Sequence, residues 1–301
     1  MAPNPLEKAL YRTLAYFAYF RFPLTRREAH AWLLAPDRIY SAEEVEMCIN
    51  ESLWIQRHTD RYQGYISLEE CEDWVKEREK KYIDAQRKHR KATRVAALLM
   101  RLPGVEGIAV CNSLAWHATH KEGDIDFFIV TKPGRIWNTR LFATIPLRIF
   151  GMRPGETIRD PVCLSFFADK EVLAFARLRE GEEDWYLAYW AASLRWIDGS
   201  QALVEQFFAQ NPWIQQVLPH AQPTRMVSTV KVKRARKVPL VVPESFAKRI
   251  QQKLFSERIK KKQNEGTHVI INDHMLKFHE EDRRASISAF VRLHLQKAGI
   301  V

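Results

Sequence analysis

Two carboxylates, Asp124 and Asp126, open an apolar run, Asp124-Ile125-Asp126-Phe127-Phe128-Ile129-Val130. The run is β-branched and aromatic, which is the signature of a strand. On a strand, residues i and i+2 share a face. Asp124 and Asp126 are therefore expected side by side, with Ile125 turned to the core. Carboxylates held this close repel one another unless a cation lies between them. Mg²⁺ suits that position, because it takes a few carboxylates, waters and substrate phosphates. Upstream, a second apolar run, Val105 to Cys111, stops at Asn112-Ser113. Asn tolerates the left-handed backbone of a tight turn. Leu114 to His120 has the pattern of one or two helical turns with Ser113 as N-cap. The turn's amides, the Ser113 hydroxyl and the positive end of that short helix make a seat for a phosphate. His117 and His120 have no Cys nearby and are expected on a loop or helix surface.

This arrangement resembles the signature of the DNA polymerase beta-like nucleotidyltransferase superfamily: a strand, then Gly-Ser or Gly-Gly, then roughly ten residues, then Asp-x-Asp or Asp-x-Glu on the next strand. Asn112-Ser113 matches the small-residue pair, and Asp124-Ile125-Asp126 matches the acidic pair. The likeness covers the stretch from the helix before Gly104 to the helix near Trp190. It implies Mg²⁺ held by Asp124 and Asp126, an NTP whose phosphates meet Asn112 and Ser113, and transfer of a nucleoside monophosphate to an acceptor hydroxyl. Lys132, Arg135 and Arg140 follow the second strand and are the cations expected to reach a substrate phosphate. Two departures stand out. The first residue of the pair is Asn rather than Gly. Many active members also carry a third carboxylate on a later strand; here Pro161 to Ala168 offers Cys163, Ser165 and Phe167 at alternate positions, with Asp160 and Asp169 only at its ends.

The elements that must position these residues follow from the rest of the chain. Leu6, Leu10, Leu14 and Phe17 give residues 5–21 a helical period. Thr25 with Glu28, and Ser41 with Glu44, are capping boxes for helices over 26–35 and 42–54. Residues 55–68 read as a hairpin turning near Gln63-Gly64. Three helices and a hairpin resemble a winged-helix module. Its third helix carries Glu43, Glu44, Glu46 and Glu51, which repel phosphate, so the module is read as a packing or protein-contact unit. Residues 69–102 form a long charged helix whose run Arg87-Lys88-His89-Arg90-Lys91 is expected to be a solvated face. Helices are expected over 135–150, 183–196 and 201–208, and a strand over 161–168. Residues 221–243 read as a linker, 245–262 as one basic helix, and 269–295 as a short strand and a final helix.

The fold class expected is α+β: a small mixed-sheet nucleotidyltransferase core at 104–220, a winged-helix-like module at 1–70, a connecting helix at 71–103, and a basic linker with a helical C-terminal region at 221–301. The chain has 301 residues and a net charge of +11. Residues 225–262 hold 13 Lys or Arg against 2 Glu, so they account for the whole net charge. That segment is the one expected to meet a nucleic acid or protein partner. The four Cys show no paired spacing and suit a reducing cytoplasm. No signal-peptide pattern and no apolar stretch long enough for a bilayer are present. Two functional readings follow: an Mg²⁺-dependent nucleotidyltransferase acting on an acceptor whose class is open among RNA, protein and small molecules, or a catalytically inactive scaffold of the same fold that binds a nucleic acid or protein partner.

Overall fold

In the computed structural model, residues 2–225, 241–279 and 283–300 are described. The chain opens with α1 (Pro5–Ala18), β1 (Leu24–Thr25), α2 (Arg26–Ala31), α3 (Ala42–Glu51), α4 (Leu53–His58) and the hairpin of β2 (Asp60–Tyr62) and β3 (Tyr65–Ser67). Both capping boxes form, with Thr25 and Ser41 accepting from the Glu28 and Glu44 amides. The strands make a small sheet in the order β1-β3-β2. The helix expected over 42–54 is broken at Ser52, whose hydroxyl caps α4.

Helix α5 (Cys71–Leu99) runs about 43 Å and leads from the hairpin to the main sheet. That sheet is built from β4 (Val105–Val110), β5 (Ile125–Thr131), β6 (Val162–Asp169), β7 (Arg195–Gly199), β8 (Thr224–Arg225), β9 (Val269–Ile271) and β10 (Met275–Phe278). Its order is β8-β7-β4-β5-β6-β10-β9. β5 and β6 are parallel, and the crossover between them is α7 (Ile136–Ile149). β4 is antiparallel to β5, joined through the four-residue α6 (Asn112–Ala115). The fold is thus mixed α and β around a mixed sheet.

Alternation along β5 divides the two faces. Ile125, Phe127 and Ile129 pack with Val95 and Leu99 of α5 and Ile136 and Trp137 of α7. Phe128 and Val130 pack on the other side, with α1, with α8 (Trp185–Ala192) and α9 (Gln201–Ala209), and with α13 (Arg284–Lys297). The first seventy residues share this second core. Tyr16 stacks on Tyr189 at 4.0 Å between centroids, and the Tyr189 hydroxyl donates to the Trp32 carbonyl at 2.8 Å. Tyr189→Phe keeps the stack and removes one buried hydrogen bond. It should cost about 1–2 kcal/mol in chemical denaturation; an unchanged midpoint would rule out this tie between the N-terminal unit and the sheet.

Three sequence expectations are corrected. The helix expected over 183–196 stops at Ala192, because Trp196 and its neighbours pair with β4 as β7. Cross-strand burial of Trp196 outweighs local helical spacing there. The helix expected over 245–262 divides into α11 (Glu244–Leu254) and α12 (Glu257–Lys262), with Ser256 capping the second. α11 is seated through Ala247 and Gln251, while Phe246 and Leu254 stay exposed. A further short helix, α10 (Trp213–Val217), precedes β8. The C-terminal region adds strands β8, β9 and β10 to the sheet as well as helices. Most of the expected linker, 226–240, lies outside the described residues. No helix among the described residues is long and apolar enough to cross a membrane.

Candidate functional site

β4 delivers the chain to the turn at its end, and β5 begins beside it. The Cys111 amide donates to the Asp126 carbonyl at 3.1 Å, which fixes the turn against the acidic strand. Asn112 adopts φ of 55°. A left-handed backbone is the conformation that glycine supplies at least cost, and Asn is among the few other residues that tolerate it. The Asn112 side chain is held as well: Trp190 Nε1 donates to its Oδ1 at 3.1 Å, and it also hydrogen-bonds Asp126. Ser113 is exposed at the tip.

Asp124 lies just before β5, and Asp126 is its second residue. Ligand atoms of Asp124, Asp126 and Cys163 all lie within 4.8 Å of one another. Cys163 belongs to β6 and is the register partner of Asp126. Both aspartates are half-buried. Burial, and then the charge of Asp124, push Asp126 up to about 6, against hydrogen bonds from Asn112 and Cys163 that pull it down. Burial also raises Asp124, opposed by Lys88. The Cys163 thiol is pushed well above its usual range, by burial first and by Asp126 next. The pair therefore suits a hard divalent cation that shares its coordination with phosphate oxygens, whereas a protonated thiol is no ligand for Mg²⁺.

The other two acids considered from sequence are committed elsewhere. Asp160 is bound by Arg87, accepts at its carbonyl from Lys91 at 2.7 Å, and lies 3.8 Å from Lys88. Asp169 ends β6 at the far edge and accepts from the Glu171 amide at 3.0 Å. Among the described residues, the third place beside the aspartates is taken by Cys163.

The structure brings Asn112, Ser113, Asp124 and Asp126 together and places Lys132, Arg135 and Arg140 apart from them. Lys132 and Arg135 follow the C-terminal end of β5, roughly 20 Å along the strand from Asp124. Lys132 lies 3.8 Å from Glu106. The N terminus of α7 already holds a carboxylate, because Glu244 accepts from the Trp137 and Asn138 amides at 3.0 and 3.2 Å. Arg140 is on the opposite sheet face, donates to Gln251 at 2.8 Å and stacks over Phe278 at 4.5 Å. Burial lowers its pKa to about 10.

No family model fits the sequence, and neither a curated protein nor a solved structure matches it significantly. The geometry therefore carries the functional reading by itself.

Sequence reasoning missed several residues around the pair. The run at 87–91 is not a solvated face. Lys88 is fully buried and donates to Thr119 Oγ1 at 3.2 Å, to the His120 carbonyl at 2.7 Å and to the Gly123 carbonyl. His89 is buried, its Nε2 3.1 Å from Nδ1 of the half-buried His117, while His120 is exposed. Burial lowers the pair to about 4 and about 3, and both imidazoles are neutral at pH 7. His279 reaches β6, its Nε2 lying 3.4 Å from Ser165 Oγ. Trp190 is buried in the core and also orients the turn. The interruption of a charged helix by Ala85, Ala92 and Ala96 marks the buried stripe that Lys88 and His89 join. His279 and Trp190 left no local signal: pairing of β10 with β6 brings the first to its place, and packing of α8 brings the second.

Proposed function

We propose that this chain binds an Mg²⁺–nucleoside triphosphate and transfers the nucleoside monophosphate to an acceptor hydroxyl. The observation that carries the reading is the convergence of Asp124 and Asp126 beside the left-handed Asn112-Ser113 turn, with Asn112 hydrogen-bonded to Asp126. Asp124 and Asp126 would hold the cation, which supplies charge neutralisation for phosphate oxygens when bound. Ser113 would donate to a phosphate. Asn112, anchored by Trp190, orients Asp126. Cys163 stands where a third acid would serve as general base, so the acceptor proton must leave to water or to the substrate's own phosphate. The order helix, strand, three helices, hairpin supports a winged-helix-like N-terminal module. Its α3 turns Glu43, Glu46 and Glu51 to solvent, and Arg26 and Arg38 pair with Glu46 and Glu44, which favours protein contact over DNA. A nucleic acid or protein partner is proposed for the basic segment 225–262.

One observation favours a second reading, a scaffold that binds nucleotide without turnover: the protonated Cys163 thiol in the third position. Calorimetric titration with each NTP, with and without Mg²⁺, tests the site common to both. Binding that requires Mg²⁺ and is lost in Asp124→Ala is expected. No binding of any NTP would sink both readings. Nucleotide bound but never transferred to a range of hydroxyl acceptors would decide for the scaffold.

A further inference from the structure

The Asn112-Ser113 turn is not on an open surface. It lies at one end of a cleft of about 390 Å³ whose opposite wall is the C-terminal end of α1 and the residues after it, Tyr16 to Phe22. A second space of about 210 Å³ continues toward His279, and Phe20, Tyr186 and Trp190 line both. Volumes of this size are typical of small-molecule sites. Among the described residues, Lys81, Arg21 and Arg283 line the larger cleft against the one acid Glu77, which pairs with Lys81 at 2.8 Å.

The walls are aromatic and held in place. The Trp190 ring stacks on Phe166 at 5.3 Å, and its indole N–H is spent on Asn112. Phe20 faces the cleft from the α1 side, half-buried, supported by Tyr16 at 5.4 Å and Tyr19 at 5.1 Å. Flat apolar rings beside a positive rim select a planar aromatic group attached to an anion. The cleft starts at Ser113, where the phosphates are placed, and leads away from it between those rings.

We infer that the cleft receives the base of the nucleoside triphosphate, stacked against Phe20, so that the N-terminal unit forms one wall of the nucleotide site. This assignment rests on the Asp124-Asp126 reading above. It gives the first seventy residues a role in nucleotide selection and explains why they share a core with the sheet instead of standing apart.

The test compares Mg²⁺–ATP with Mg²⁺–tripolyphosphate, which has the phosphates and no base, on the full chain. Phe20→Leu is the variant, since it keeps an apolar side chain and removes the ring; circular dichroism and the melting temperature check its fold. ATP is expected to bind the native protein about tenfold more tightly than tripolyphosphate and to quench tryptophan fluorescence. Phe20→Leu should weaken ATP about tenfold and leave tripolyphosphate unchanged. If both ligands bind the native protein equally, or Phe20→Leu leaves ATP affinity intact, the base assignment is overturned while the phosphate and metal site stands. If neither ligand binds the native protein in Mg²⁺, the site reading falls and the base assignment with it.

Discussion

Asp126→Asn is expected to abolish Mg²⁺-dependent nucleotide binding and, in the same protein, to raise the stability of the metal-free form. Asn keeps the shape and the hydrogen-bonding oxygen that meets Asn112 and Cys163, so the fold has no reason to change. It removes one of two carboxylates available to a cation, and affinity should fall at least about a hundredfold, since even outer-shell partners of a metal are worth 10–100-fold. The stability gain follows from the raised pKa. Folded, Asp126 titrates near 6, from burial first and Asp124 next; unfolded, it titrates near an ordinary ~4. Between those values the folded protein holds a proton that the unfolded chain has lost. Stability therefore falls as pH rises through that window and is lowest above about 6. The difference amounts to about 3 kcal/mol. Asn escapes it, so at pH 7.5 without Mg²⁺ the variant should melt roughly 5 °C higher, and the pH dependence between 4 and 6 should flatten. A variant that loses stability, or that still binds Mg²⁺–ATP, would remove Asp126 from the site.

The acidic pair and its turn were legible because their information is local. A strand period fixes the face of Asp126, and Asn followed by Ser at the end of an apolar run fixes the turn. Capping boxes at Thr25 and Ser41 were readable for the same reason, since cap and partner lie three residues apart. The failures have a common cause. β7 and β10 are short segments whose strand character comes from a neighbour: Trp196 belongs to a strand because β4 lies beside it, and Met275 to Phe278 because β6 does. No window of sequence contains those partners.

The misplaced cations teach a related lesson. Lys132 and Arg135 are near Asp124 in sequence, but an extended strand carries the chain away from its own start by about 3.3 Å per residue. Groups that close on the site come instead from remote elements: Trp190 from α8, His279 after β10, Phe20 after α1. The buried lysine was misread because a charge run suggests water. Lys88 is one turn from Ala85 and Ala92, and the small residues on that side let the helix approach the loop that Lys88 binds.

That lysine is the second large effect. Lys88→Met should destabilise the protein by about 2–4 kcal/mol and move the onset of Mg²⁺ binding upward in pH. The Lys88 ammonium, with no exposure, binds Thr119, His120 and Gly123, the loop that ends at Asp124. Met fills similar volume without a donor, leaving buried acceptors unmet at about 1–3 kcal/mol each. The His120 carbonyl keeps the Gly123 amide at 3.0 Å, so the Gly123 carbonyl bears most of the loss. Relief from burying a charge, the main cause of the lowered Lys88 pKa, offsets part of it. The effect on the cation has an electrostatic part: Lys88 is the first of the groups that pull Asp124 down. Without it Asp124 gives up its proton at higher pH, and the onset of Mg²⁺ binding should move upward in pH. Lys91→Met is the control, since among the described residues Lys91 reaches only the Asp160 carbonyl and should cost about 1 kcal/mol with no shift in that onset. If Lys88→Met and Lys91→Met behave alike in both measurements, Lys88 anchors nothing that the acidic pair needs.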